Sequence, residues 1–109
     1  MESIKLLHKT SIQKEYQNYL IKLSSDLDLI NIIIEKENRI YESNFNFQYL
    51  HNHKLLMSSL TTQDIIEFIV GLIDVNKIEI IEEIMNLKLI LNSALPNISN
   101  VKLNLQKKI

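Results

Sequence analysis

Apolar and polar residues alternate along much of the chain with a period of two, the signature of a strand that buries one face. The clearest case is Tyr41-Glu42-Ser43-Asn44-Phe45-Asn46-Phe47-Gln48-Tyr49, where Tyr41, Phe45, Phe47 and Tyr49 fall on one side. Tyr19, Ile21 and Leu23 alternate in the same way. Leu27-Asp28-Leu29 does so before Ile30-Asn31-Ile32-Ile33-Ile34, whose change of phase calls for a bulge. Lys77-Ile78-Glu79-Ile80, Leu87-Lys88-Leu89-Ile90-Leu91 and Val101-Lys102-Leu103-Asn104-Leu105 repeat the pattern. It predicts six short strands, at about 18–24, 27–34, 39–46, 77–82, 87–92 and 100–106.

One segment carries the helical period instead. Thr61 can cap a helix and Asp64 stands three residues on, as in a capping box. Ile65, Phe68, Ile69, Leu72 and Ile73 then form one apolar stripe, so the spacing predicts a helix over 62–74. A shorter helix near 48–57 would carry Leu50, Leu55 and Leu56. The expected fold class is α+β: two small antiparallel β-meanders packed as a sandwich, with a helical hairpin between them. Residues 16–109 form a single α+β domain in this reading, and residues 1–15 an N-terminal arm or short helix.

The alternative is an all-α helical bundle. Leu20, Leu23, Leu27, Ile30 and Ile34 fit a coiled-coil-like seam, and Ile80, Ile84, Leu87 and Leu91 share a helix face. Sheet is favoured because segments 44–49 and 101–105 make poor amphipathic helices, and because the apolar runs are rich in β-branched isoleucine.

Composition narrows the chemistry more than the fold. The 109 residues include no cysteine, which removes disulfides, thiolate metal sites and cysteine nucleophiles and points to a reducing, intracellular, cytoplasmic setting. A single glycine, Gly71, and a single proline, Pro96, leave no material for phosphate-cradling loops or strained nucleophile elbows. The net charge of -1 offers no bulk field for nucleic acid or an anionic membrane, so neither is expected as a partner. Charge is nevertheless segregated. Residues 61–85 hold Asp64, Glu67, Asp74, Glu79, Glu82 and Glu83 against Lys77, while residues 86–109 hold Lys88, Lys102, Lys107 and Lys108 with no acid.

Candidate catalytic and metal motifs fail on company. His51-Asn52-His53 has no third or fourth ligand nearby, and Asp26-Leu27-Asp28 has no nucleotide-binding loop beside it. A helix-turn-helix laid over Gln63 through Ile81 would put Glu79, on its recognition segment, and Glu82 and Glu83 beside it against phosphates. No enzyme, metal, cofactor or small-molecule substrate is therefore expected.

Two features favour interaction. Val101, Leu103 and Leu105 lie on a C-terminal strand that reads as an edge able to template pairing. Phe45 and Phe47 belong to a row holding four of the seven aromatics, a candidate hot spot. The expected function is a non-catalytic protein–protein interaction or scaffold domain, acting by self-association or docking, with a protein partner or a homo-oligomer. The order strands, helical hairpin, strands is similar to the sandwich head domains that cap coiled-coil dimers in centriole-assembly and DNA-end-joining scaffold proteins. That resemblance implies the head domain of a coiled-coil structural protein. The alternative is a small helical regulatory subunit or inhibitor that binds through its acidic 61–85 face.

Overall fold

Three two-residue turns, Gln17-Asn18, Leu27-Asp28 and Glu37-Asn38, cut the first part of the chain into four strands of equal length. The computed structural model describes residues 9–108. Strands β1 (Lys9–Tyr16), β2 (Tyr19–Asp26), β3 (Leu29–Lys36) and β4 (Arg39–Asn46) form an antiparallel meander. Each turn carries Asn or Asp as its second residue. Gln17, Asn18, Leu27 and Glu37 adopt positive φ with no glycine to ease it. A short helix α1 (Phe47–His51) and a 3-10 turn (Lys54–Leu56) lead to the main helix α2 (Thr62–Asp74). Strands β5 (Ile78–Glu82), β6 (Asn86–Leu91) and β7 (Val101–Lys107) follow.

All seven strands among the described residues belong to one curled antiparallel sheet, in the order β1-β2-β3-β4-β7-β6-β5. This overturns the expected sandwich of two meanders with a helical hairpin between them. The cause is β7, which pairs with β6 along Leu91↔Val101 to Asn86↔Gln106 and with β4 at Tyr41↔Lys107 and Glu42↔Gln106. A further bond from Lys108 N–H to Ile40 C=O (2.7 Å) extends that seam. The two meanders are thus joined edge to edge. The all-α alternative falls with the same finding.

Three smaller differences have local causes. The expected bulge in β3 is absent. Ile30, Ile32 and Ile34 point inward in unbroken register, Leu27 sits in the turn, and Ile33 lies half-buried on the outer face. The helix expected at 48–57 breaks after five residues into a bend and a 3-10 turn. Residues 9–15, assigned above to an arm or short helix, lie in β1 and pair along their length with β2; residues 1–8 lie outside the described residues.

The sheet's inner face and α2 share one core. Ile21, Leu23, Ile30, Ile32, Ile34 and Tyr41 of the first meander meet Ile65, Ile66, Ile69 and Ile73 of α2. Leu87, Leu89, Leu91, Val101, Leu103 and Leu105 complete it from β6 and β7, and Leu50 and Leu56 add the short helical segments. At about 1.5–3 kcal/mol for each large side chain buried, this face is the dominant favourable contribution to the fold. Among the described residues no buried side-chain nitrogen or oxygen lacks a hydrogen-bond partner. Among them, too, no helix is long and apolar enough to cross a membrane.

Candidate functional site

The curl gives the molecule two unlike ends. At one, beside the turns 17–18 and 37–38, β5 runs across the strand ends from β1 to β4. The Tyr16 hydroxyl lies 2.6 Å from Asn76 Oδ1 and 3.0 Å from the Ile78 carbonyl. Four residues along β5, Glu82 accepts from Tyr19 Oη (3.0 Å), Tyr41 Oη (2.5 Å), Arg39 Nη2 (3.3 Å) and Arg39 Nε. Lys14 pairs with Asp74 at the end of α2 (2.8 Å), and the Lys36 ammonium lies 4.8 Å over the Tyr19 ring.

The electrostatics follow from that geometry. The Arg39 guanidinium, with help from the two phenols and against the cost of burial, holds the Glu82 carboxyl down to about 2. Its bond to Glu82 raises Arg39 in turn. Burial, reinforced by Glu82, raises both Tyr19 and Tyr41. Four donors fill the oxygens of one carboxylate, so Glu82 has no lone pair to spare for a substrate proton and no affinity for one near neutral pH. The cluster is a lock between β2, β4 and β5.

The other end is apolar and open. Helix α2 starts there because Thr61 caps it. Thr61 Oγ1 accepts from Asp64 N–H (3.1 Å), while Asp64 Oδ2 accepts from Leu60 N–H (2.9 Å) and Thr61 N–H (3.1 Å). Thr62 Oγ1 donates to the Leu27 carbonyl (3.3 Å), and Phe47 N–H to the Asp28 carbonyl (2.7 Å). These bonds clamp the β2–β3 turn, α1 and α2 together. They also hold two leucine side chains in water: Leu27 is 72% exposed and Leu60 83%. Between them lies a cleft of about 350 Å³ lined by Leu27, Asp28, Phe47 and residues 60–63. Leu27 is doubly disfavoured there, since its φ is 59° and its side chain is solvated. Folding alone would favour Asn or Gly at that position.

Phe45 and Phe47 are half-buried against the core, and Phe47 lines the cleft. The row they were expected to share with Tyr41 and Tyr49 is broken at Asn46, where the chain turns from strand into α1. Stacks spaced four residues apart replace it: Phe45 on Tyr49 (6.2 Å) and Phe47 on His51 (5.1 Å), with Tyr49 edge-on to His53 (5.1 Å). Val101, Leu103 and Leu105 are buried on β7, an interior strand between β4 and β6, so the sheet's open edges are elsewhere.

His51 and His53 gain no third ligand among the described residues, and His8, the remaining histidine, lies outside them. Among the described residues no group of three His, Asp or Glu side chains could hold a metal ion. Asp26 ends β2 and Asp28 lies in the following turn. The helix-turn-helix reading fails because α2 is followed directly by a strand. The acidic stretch is largely spent internally: Asp64 in the cap, Glu67 with Gln63, Asp74 with Lys14, Glu82 in the lock and Glu83 near Lys88 (3.6 Å). Sequence reasoning missed Leu27, Leu60 and the Arg39–Glu82 pair. Leu27 alone left a signal, a large apolar residue in a two-residue gap between alternating runs.

Comparison with protein-family models, with curated proteins and with solved structures finds no match to this chain.

Proposed function

We propose that this protein is a non-catalytic interaction domain that docks an apolar segment of a protein partner in the cleft between Leu27 and Leu60. The carrying observation is Leu27, a large apolar side chain held in water on a left-handed backbone, at a double cost that burial against a partner would repay. Phe47 supplies an aromatic surface in the cleft, and the capping bonds of α2 hold its walls without a partner's help. A non-catalytic role is supported by the fate of the groups with shifted proton affinity, which bind one another in the lock. An intracellular setting belongs to the same proposal and rests on composition. The likeness to coiled-coil-capping heads rests on the order strands, helices, strands, which the chain keeps, while the sandwich expected with it is replaced by one curled sheet.

Peptide selection on the immobilised protein tests the reading. Peptides with a large apolar residue should be enriched and should lose binding to a Leu27→Asp, Leu60→Asp double variant whose unfolding midpoint is unchanged. Enrichment of no peptide, or equal binding by the double variant, would refute it.

A further inference from the structure

The geometry points to a second interaction surface: two copies of this chain pair antiparallel through β1, centred on Ile12, and join their sheets into one. This goes beyond cleft docking and does not depend on it. Among the described residues β1 has a strand neighbour on one side only. It runs eight residues in unbroken register with β2 with no proline and no bulge, and its inward-facing charge, Lys14, which could blunt the edge, is turned onto Asp74 of its own chain. The opposite edge, β5, is shorter, five residues, and the Tyr16 hydroxyl already reaches its Ile78 carbonyl.

Hairpin geometry says which groups on β1 are free. Gln17 and Asn18 both have positive φ, so the β1–β2 turn is of the I′ kind and closes on a hydrogen-bonded Tyr16–Tyr19 pair. Bonding alternates from there. Positions 16, 14, 12 and 10 bond to β2, while 15, 13, 11 and 9 turn their N–H and C=O groups to the open edge. A two-fold axis normal to the sheet must set open positions opposite open positions. Centring on Ile12 pairs all four, Lys9 with Glu15 and Ser11 with Gln13, each reciprocated. Ile12, partly buried against its own core, faces its counterpart in the close, non-hydrogen-bonded pair. Centring on Gln13 leaves Lys9 unpaired and sets Ile12 against Lys14; centring on Ser11 leaves Glu15 without a described partner. The partner with matching chemistry is therefore a second copy, in one register.

Light scattering on the full chain across a concentration series tests this. The wild-type mass should rise to that of two chains. Ser11→Glu with Gln13→Glu sets like charges opposite one another and should raise the concentration for half-dimerisation about tenfold, and Ser11→Lys with Gln13→Glu should restore it. Gln13→Pro removes an N–H that β2 does not use and should leave a folded monomer. A wild-type chain that stays single at about 1 mM overturns the proposal. So does a dimer that survives Gln13→Pro, and failure of the charge swap to rescue overturns the register. None of these results bears on peptide binding at the Leu27 cleft.

Discussion

The two ends of the sheet meet the same problem, polar and apolar groups gathered where strands stop, and resolve it in opposite ways. At the Glu82 end, side chains from β2, β4 and β5 satisfy one another, and the carboxylate is saturated by donors from its own chain. At the Leu27 end the polar groups are just as well satisfied, through the α2 cap and the bonds to the Leu27 and Asp28 carbonyls, yet two leucines are left in water. A polar cluster that consumes all its own capacity holds a fold together. An apolar pair that nothing among the described residues covers is free to bind something else. Exposed carbon occurs at both ends, Ile84 beside Glu82 as well as Leu27 and Leu60. The comparison therefore teaches that perturbed proton affinity marks the structural end, and an exposed leucine held on a left-handed backbone beside a cleft marks the candidate functional one.

Substitutions can break this contrast, beginning with the strand that serves both ends. Leu103→Ala, in the buried row of β7, should lower unfolding free energy by about 3 kcal/mol in urea titration; a loss under about 1 would mean β7 is not a core strand. Glu82→Ala should cost about 2 kcal/mol, the loss of hydrogen bonds to a charged acceptor that solvent partly screens. The acid limb carries the sign. The folded carboxyl titrates at about 2 against an ordinary 4.5, so its contribution is full above about 4.5 and is lost as pH falls toward 2. Glu82→Gln should flatten the decline in urea midpoint across that window. Lys14→Ala breaks a partly exposed ion pair with Asp74 and should cost only about 0.5 kcal/mol, less in high salt. Leu27→Gly relaxes the left-handed turn and should raise stability by about 0.5 kcal/mol while abolishing peptide binding.

The strand positions were legible because each buries one face: β4 and the helix at 62–74 lie where the patterning put them. β1 was not. Its inward face holds one large aliphatic residue, Ile12, and an ion-paired Lys14, so an edge strand of this kind leaves almost no alternation. The architecture was hidden for a different reason. Whether two meanders stack or join depends on the β4–β7 seam, a short register match between residues some sixty-five positions apart, and periodicity carries no information about such pairings. Val101, Leu103 and Leu105 looked like an open edge because they close the sequence, but proximity to a terminus does not place a strand at the rim of a sheet. The lock was invisible for the same reason as the seam: Arg39 and Glu82 meet only once the sheet curls.

Peptide affinity and unfolding free energy measured together on two variants test the division between the ends most directly. Glu82→Gln should lower stability and leave the affinity of a selected peptide unchanged, and Leu27→Asp with Leu60→Asp should do the reverse. An affinity that falls with Glu82→Gln in the folded protein, or a double variant that loses stability while still binding, would contradict the account.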